Sequence, residues 1–270
     1  MDEVKEQPQT GQSVSEDRDL AHKVIDARRD SYEAAKRYGG YKLDRSVHDY
    51  EYELPKFQAK TFREHLLDRL TTSQDVSILD VGCGRGVALA ELVRDNSGLK
   101  AAGISAQDFR EEISDPQLRD SIRKVDYKTG DVQKLRSIFQ GQEFDVVISD
   151  GVFFYLGDPL NALRQCYGIL KPDGILFINF TGLHLPQSDV ARLEKYWKDI
   201  GVEAEASIDG RTKDLVFAIQ KGLIDKLPMP FKYSQRTESG MSSSMSATSS
   251  GWDYVLDESI LNRSLVPRNG

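Results

Sequence analysis

Only two of the 270 residues are cysteine, Cys83 and Cys166. Two thiols supply neither a disulfide framework nor, by themselves, a four-ligand zinc site. An excess of positive charge is also missing: 36 Lys and Arg stand against 43 Asp and Glu, a net charge of −7. No overall basic field attracts a phosphate backbone, which argues against nucleic acid as a partner while leaving room for a local patch. No apolar run approaches the roughly 20 residues that span a bilayer. The polar, acidic stretch Met1–Leu20 lacks the apolar centre of a signal peptide. These absences lead to the expectation of a soluble, cytoplasmic chain without a membrane partner. Asp145, Asp150 and Asp158 could meet near one strand end, but their spacing is not a known ligand signature, and no metal is expected. What is present is 39% hydrophobic and 29% charged residues, as for an ordinary core with polar tails.

Four regions follow from the patterning. Residues 1–16 lack periodicity and are read as disordered. Residues 17–72 form a helical extension or lid: a loose apolar stripe over Asp17–Arg37 ends at Gly39-Gly40, and a second helix is expected over Lys56–Leu70. Residues 73–222 alternate short apolar runs with amphipathic segments. The runs are Val76–Val81, Lys100–Ser105, Lys124–Thr129, Phe144–Ser149, Ile175–Phe180, Val202–Ser207 and Asp214–Gln220. Helices are expected near Gly86–Asp95, Ala106–Arg123 (interrupted at Pro116), Val132–Phe139, Pro159–Leu170 and Ser188–Ile200. Such alternation implies an α/β fold: a Rossmann-like, mainly parallel seven-stranded sheet with helices on both faces. The last two runs are joined only by an Asp209-Gly210 turn, which implies a C-terminal antiparallel hairpin. Residues 223–270 are read as a mostly flexible tail, with low-complexity Ser239–Gly251 followed by the more apolar Trp252–Leu261. That last segment is either a frayed end, a docking peptide or a flap folded back on the domain.

The most informative stretch is Ile78-Leu79-Asp80-Val81-Gly82-Cys83-Gly84-Arg85-Gly86. An apolar strand ends in an acid, and three alternating glycines precede a helix. Glycines at a βα turn admit positive φ and let a ligand approach the backbone. A parallel sheet sets that turn at the carboxyl ends of its strands, where α/β proteins bind ligands. The dinucleotide fingerprint G-x-G-x-x-G is not met, because Val87 occupies the place of its last glycine. The Gly-Lys-Ser/Thr of a phosphate loop is absent.

Here the chain resembles the class I S-adenosylmethionine-dependent methyltransferases, over about Ser73 to Lys221. The resemblance implies that Asp80, Gly82, Cys83, Gly84 and Gly86 form the first cofactor motif. It likewise makes Gly130-Asp131-Val132 the acidic loop after the third strand, where Asp131 accepts from the adenine amino group beside Val132. Phe144–Ser149 resembles the fourth-strand motif, which places Ser149 at the cofactor, and Leu170-Lys171-Pro172-Asp173-Gly174 resembles the turn into the fifth strand. At the end of the second strand many relatives carry an acid that binds the ribose hydroxyls. The aligned residue here is Ser105, with Gln107 or Asp108 as alternatives from the next turn. Cys83 is read as a small packing residue rather than a nucleophile.

The implied reaction is methyl transfer from S-adenosyl-L-methionine, with S-adenosyl-L-homocysteine as product. The candidates for a base or positioning group are Asp150, Tyr155 and His184. Asp158-Pro159 is read as a helix cap. With no long insertion between strands and with Tyr41, Tyr50, Tyr52, Phe153, Phe154 and Phe231 available, the favoured acceptor is a small-molecule metabolite or natural product, methylated on O, N or C. The alternatives are a protein or RNA methyltransferase docking through its terminal extensions, and a catalytically silent module that binds the cofactor. A homodimer or a protein partner held through the N-terminal helices or the tail stays open.

Overall fold

The computed structural model describes residues 45–47, 62–73, 75–180, 185–208, 215–222, 224, 226–235 and 252–263. The expected helix over Asp17–Arg37, the disordered 1–16 stretch and the Asp209-Gly210 turn lie outside these residues.

Helix α1 (Phe62–Thr72) precedes an alternating series: β1 (Ser77–Val81), α2 (Val87–Asp95), β2 (Lys100–Ser105), α3 (Pro116–Ile122), β3 (Asp126–Thr129), α4 (Leu135–Ile138), β4 (Phe144–Ser149), α5 (Pro159–Gly168) and β5 (Leu170–Phe180). Then come α6 (Gln187–Asp199), β6 (Glu203–Ile208) and β7 (Leu215–Gln220). The seven strands form one sheet in the order β3-β2-β1-β4-β5-β7-β6. Strands β1 to β5 are parallel to one another, and β7 runs antiparallel between β5 and β6. The expected mainly parallel sheet ending in an antiparallel hairpin is therefore the fold.

Strand faces alternate with period two, and both are buried, as a doubly covered sheet requires. Leu79, Val147, Leu176, Ile178 and Phe217 share one apolar cluster with α5 and α6. Ile78, Val146, Ile148, Phe177 and Ala218 share the other with Leu66 of α1, Leu89 of α2 and Ile122 of α3. From β1 the chain winds outward through β2 and β3, then returns to the other side of β1 at β4. That reversal opens a crevice over the carboxyl ends of β1 and β4, the place where open α/β sheets bind ligands.

Several boundaries differ from the sequence reading. The segment expected to be helical over Ala106–Arg123 is a short 3-10 turn, Arg110–Glu112, followed by α3, because Asp115 and Pro116 restart the helix: the Asp115 carboxylate accepts from Gln117 N and Leu118 N. The turn 171–174 is absorbed into β5 as an irregularity, with Asp173 at φ 60°.

The larger difference is at the C-terminus, read as a mostly flexible tail. Within it β8 (Phe231–Gln235) pairs antiparallel with β9 (Trp252–Leu256), and α7 (Glu258–Arg263) follows. Leu227, Met229, Phe231, Leu256 and Leu261 are buried in the α5/α6-side cluster. Trp197 Nε1 donates to Pro228 O at 3.2 Å, and Arg192 pairs with Glu258 at 2.5 Å. Leu256, Ile260 and Leu261 thus belong to a flap folded on the domain, the third of the readings offered for that segment. The serine-rich stretch between the two strands lies outside the described residues.

Candidate functional site

The glycine loop is compressed by its own backbone. Gly82, Gly84 and Gly86 have φ of 86°, 55° and 77°. Gly82 N and Cys83 N both donate to Ile104 O, at 2.8 and 3.1 Å, which pins the loop to the end of β2. A Cβ on Gly82 would lie 2.1 Å from Val152 Cγ2, and one on Gly86 2.6 Å from Ile122 Cδ1. Sterics and dihedrals therefore demand glycine at both positions. Asp80 is 1% exposed at the end of β1, directly beneath the loop.

Cys83 is buried, and burial, reinforced by the Asp80 carboxylate, holds its thiol well above the ordinary value. It stays protonated, packed against Gly103, where a Cβ would come 2.8 Å from Sγ. This is the environment of an inert thiol rather than a nucleophile.

The loop after β2 is tied to the glycine loop by three contacts. Tyr127 Oη of β3 donates to Gly84 O at 2.5 Å and lies 3.2 Å from Gln107 O. Arg85 of the glycine loop bonds Glu112 at 2.6 Å. Arg110 lies 4.8 Å over the Tyr127 ring, its guanidinium gripped by Asp108. That hydrogen bond from Arg110 holds the Asp108 carboxyl below the usual range. Asp108 is thereby committed to its own turn, while Gln107 is exposed beside it. Ser105 is buried at the end of β2.

After β3, Asp131 caps a 3-10 turn: its Oδ1 accepts from Gln133 N at 2.9 Å and Gln133 Nε2 at 3.1 Å. Both contacts fall on one oxygen, so Oδ2 is left at an exposed edge. Val132 is buried in the α5/α6-side cluster. Ser149 Oγ donates to Val81 O at 2.9 Å, so its hydroxyl stitches β4 to β1 below the loop.

Of the three base candidates, Asp150 sits in the crevice, 7% exposed, ion-paired with Arg45. Arg45 also covers Gly151, where a Cβ would meet its guanidinium. The adjoining Ser46 Oγ and Val47 N both donate to Glu91 on α2 at 2.8 Å, so residues 45–47 bridge α2 and the end of β4. Tyr155 is half-buried in a 3-10 turn, Phe153–Tyr155, after β4. His184 lies outside the described residues.

The three aspartates considered as a cation site do not converge. Asp145 begins β4, five residues or about 16 Å of extended chain from Asp150, and there it binds Ser77 and Lys171. Asp158 caps α5 by accepting from Asn161 N, in the role its Pro neighbour predicts. Among the described residues no group of three His, Cys, Asp or Glu is placed to hold a metal, and no helix is long and apolar enough to cross a membrane. The aromatic lining expected from Phe153 and Phe231 is also corrected: both are core residues, Phe153 packing on Phe180 at 4.9 Å between ring centroids.

Residues 79–178, which span β1 to β5 and every loop just described, match the family described as Methyltransferase domain. Over these residues the chain is similar to the methyltransferase domain family. The chain is 27% identical over 189 residues to malonyl-[acyl-carrier protein] O-methyltransferase of Bacillus cereus, covering 69% of this chain and 67% of that protein. It is 30% identical over 125 residues to ubiquinone biosynthesis O-methyltransferase of Nitrosospira multiformis, covering 46% of this chain and 51% of that protein. The chain thus spans two thirds of one of these curated relatives and about half of the other. Among solved structures, the plantazolicin methyltransferase BpumL superposes with a TM-score of 0.47 at 13% identity, over 77% of this chain and 99% of that one.

Sequence reasoning passed over Tyr127 and Arg45. Tyr127 carried no signal beyond a polar-tipped aromatic in a strand. Arg45 lies in a polar connection whose partner, Asp150, is 105 positions away, and no local pattern links them.

Proposed function

We propose that this methyltransferase binds S-adenosylmethionine across the carboxyl ends of β1, β2 and β3 and methylates an O, N or C atom of a small molecule. The observation that carries the cofactor site is the cradle at Gly82 and Gly86, which any Cβ would fill, set at the point where the sheet reverses direction. When bound, the cofactor supplies an activated methyl group on a sulfonium leaving group. The chain's own part is to bind and orient. The Gly82–Gly86 backbone lies against the methionine and ribose portion, with Asp80 and the neutral Cys83 supporting it from below. Gln107 is the exposed polar group for the ribose, Ser105 lies buried at the end of β2 beside it, Ser149 ties β4 to β1, and Asp131 Oδ2 receives the adenine amino group over Val132. Asp150 and Tyr155 face the acceptor side, and His184 remains a candidate base there. Positioning of this kind supplies most of the rate effect in a reaction whose leaving group is already activated.

The small-molecule reading is supported by the names of both relatives and by the short strand connections, which leave no inserted subdomain to grip a macromolecule. The apolar side chains Leu256 and Leu261, a docking element in the rival reading, are buried in the domain's own core. The acidic balance of −7 weighs against RNA.

Calorimetric titration with S-adenosylhomocysteine tests the cofactor site. Micromolar binding is expected, weakened about tenfold in Asp131→Ala, the loss of about one charge-assisted hydrogen bond. Transfer of labelled methyl from S-adenosylmethionine to a panel of phenols, carboxylic acids and amines tests the acceptor class. Failure to bind S-adenosylhomocysteine refutes the cofactor site, and binding without transfer to any panel member refutes the small-molecule reading.

A further inference from the structure

Asn179, the penultimate residue of β5, is 2% exposed, and its Oδ1 is buried without a hydrogen-bond partner. A buried amide oxygen left unsatisfied costs about 1–3 kcal/mol, so such groups in folded proteins call for a reason. The strand register supplies one. Strand β4 ends its pairing with β5 at Ser149↔Ile178, so the next position on each strand sets Asp150 beside Asn179. Ile148 and Phe177, two residues earlier on each strand, belong to the same apolar cluster. By the period of two, Asp150 and Asn179 face the same side as that pair, on backbones about 4.8 Å apart. On β1, Asp80 pairs with Ile148, so the rung carrying Asp150 and Asn179 leads on to Gly82 at the start of the glycine loop.

A face that is apolar through Val146, Ile148, Ile175 and Phe177 thus turns polar in a single step at the carboxyl edge. Asp150 is already matched by Arg45. The Asn179 Oδ1 has no such partner.

The direction of the crevice decides what the oxygen receives. The loops after β2 and β3, proposed to hold ribose and adenine, lie on one side of β1, whereas β4 and β5 lie on the other. Asn179 is two strands beyond β1 on the acceptor side. We infer that the Asn179 side chain is an acceptor-binding residue: its Oδ1 takes an N–H or O–H of the molecule to be methylated, next to the Arg45–Asp150 pair. This rests on the small-molecule methyltransferase reading and narrows it. The acceptor carries a hydrogen-bond donor close to the methylated atom, so hydroxylated or amino compounds are favoured over purely apolar ones.

The inference is tested with Asn179→Leu, close in volume and without a polar atom, with Asn179→Asp alongside. Three quantities are read in the full chain: melting temperature without ligand, S-adenosylhomocysteine affinity, and labelled-methyl transfer to whichever phenol, carboxylic acid or amine of the panel the wild type methylates. Removing an unsatisfied buried amide leaves the Leu variant as stable as wild type or a few degrees more so. Its S-adenosylhomocysteine affinity stays within about twofold, while methyl transfer falls about tenfold or more through a higher KM for the acceptor. A melting temperature lowered by about 5 °C or more overturns the inference, because the amide then has a structural partner. A parallel loss of S-adenosylhomocysteine affinity overturns it too, assigning the donor to the cofactor's amino group. Unchanged transfer in both variants removes Asn179 from the acceptor site while leaving the methyltransferase reading intact. A wild type that methylates no panel member overturns that reading and this inference together.

Discussion

Tyr127→Phe removes one oxygen atom from the protein, and the structure sets out what that atom does. The hydroxyl donates to Gly84 O at 2.5 Å, and the alternative acceptor, Gln107 O, is at 3.2 Å. Among the described residues the only other side-chain donor at Gly84 O is the Cys83 thiol, at 3.9 Å and intrinsically weak. A phenyl ring keeps the packing under Gly86 and the stacking of Arg110, so the change isolates the hydrogen bond. Net loss of one buried bond is worth about 0.5–1.5 kcal/mol, and leaving the carbonyl poorly satisfied raises this to about 1–3 kcal/mol. For a domain of this size that is a fall in melting temperature of roughly 2–10 °C. The loss is not confined to stability, because Gly84 is the middle residue of the proposed cofactor loop. With the loop less fixed, part of the same energy must be recovered on binding, and S-adenosylhomocysteine affinity is expected to fall about 5- to 30-fold. Burial raises the Tyr127 pKa far above neutrality, so the hydroxyl remains a donor and contributes no pH dependence of binding between about pH 6 and 9. Calorimetry and thermal melts on the two proteins measure both effects. Equal affinity and equal melting temperature would refute the reasoning, as would a large stability loss with unchanged affinity, which would make the contact structural alone.

Other predictions address the scaffold. Gly82→Ala meets both a positive φ of 86° and Val152 at 2.1 Å, so a cost of about 2–5 kcal/mol is expected. S-adenosylhomocysteine titration should find binding reduced more than 30-fold. Burial alone would raise the Asp145 pKa, but hydrogen bonds from Lys171 and Ser77 outweigh it and hold the carboxyl below its ordinary value. A depressed folded-state pKa gives stability that is present above the unfolded carboxyl value near 4 and lost as pH falls through the folded one. Asp145→Asn should therefore cost about 1 kcal/mol at pH 7, after allowing for screening of a partly exposed group, and flatten the acid side of the stability profile in urea melts between about pH 5 and 2.5. Leu256→Ala opens a cavity between the C-terminal hairpin and the sheet and should cost about 2–4 kcal/mol in the same assay. A neutral result would mean the hairpin is detached in solution.

Much of the fold was legible because its signals are local. Short apolar runs separated by amphipathic segments follow from strands buried on two faces, and the Asp80–Gly86 stretch marks a turn that only glycine can make. The Asp158-Pro159 pair announces a helix start through the missing N–H of one and the acceptor of the other. Strand-to-helix alternation also constrains topology, because parallel neighbours need a crossover of a dozen or more residues, and the six residues between β6 and β7 permit only an antiparallel return.

Where the sequence reading stopped, the deciding contacts join positions far apart in the chain. Ser149 looked like a cofactor residue at a strand end, yet its hydroxyl reaches Val81 O, 68 positions away. Asp145, Asp150 and Asp158 looked close in number, but a strand extends about 3.3 Å per residue and carries the first to the opposite edge of the sheet from the second. Phe153 and Phe231 looked available for a pocket, but aromatic surface is as useful to a core, and only packing chooses between the two. The C-terminal segment has ordinary composition around a serine-rich stretch, and its hairpin is stabilised by apolar side chains against α6 and the sheet rather than by its own propensity. The sequence alone thus determined the alternating elements of the sheet, its mainly parallel arrangement and the glycine turn, all of which follow from local patterns. Tertiary structure decided that Tyr127 locks that turn, that Arg45 neutralises Asp150 and that Asn179 is left beside them, because burial and partnership are relations between strands.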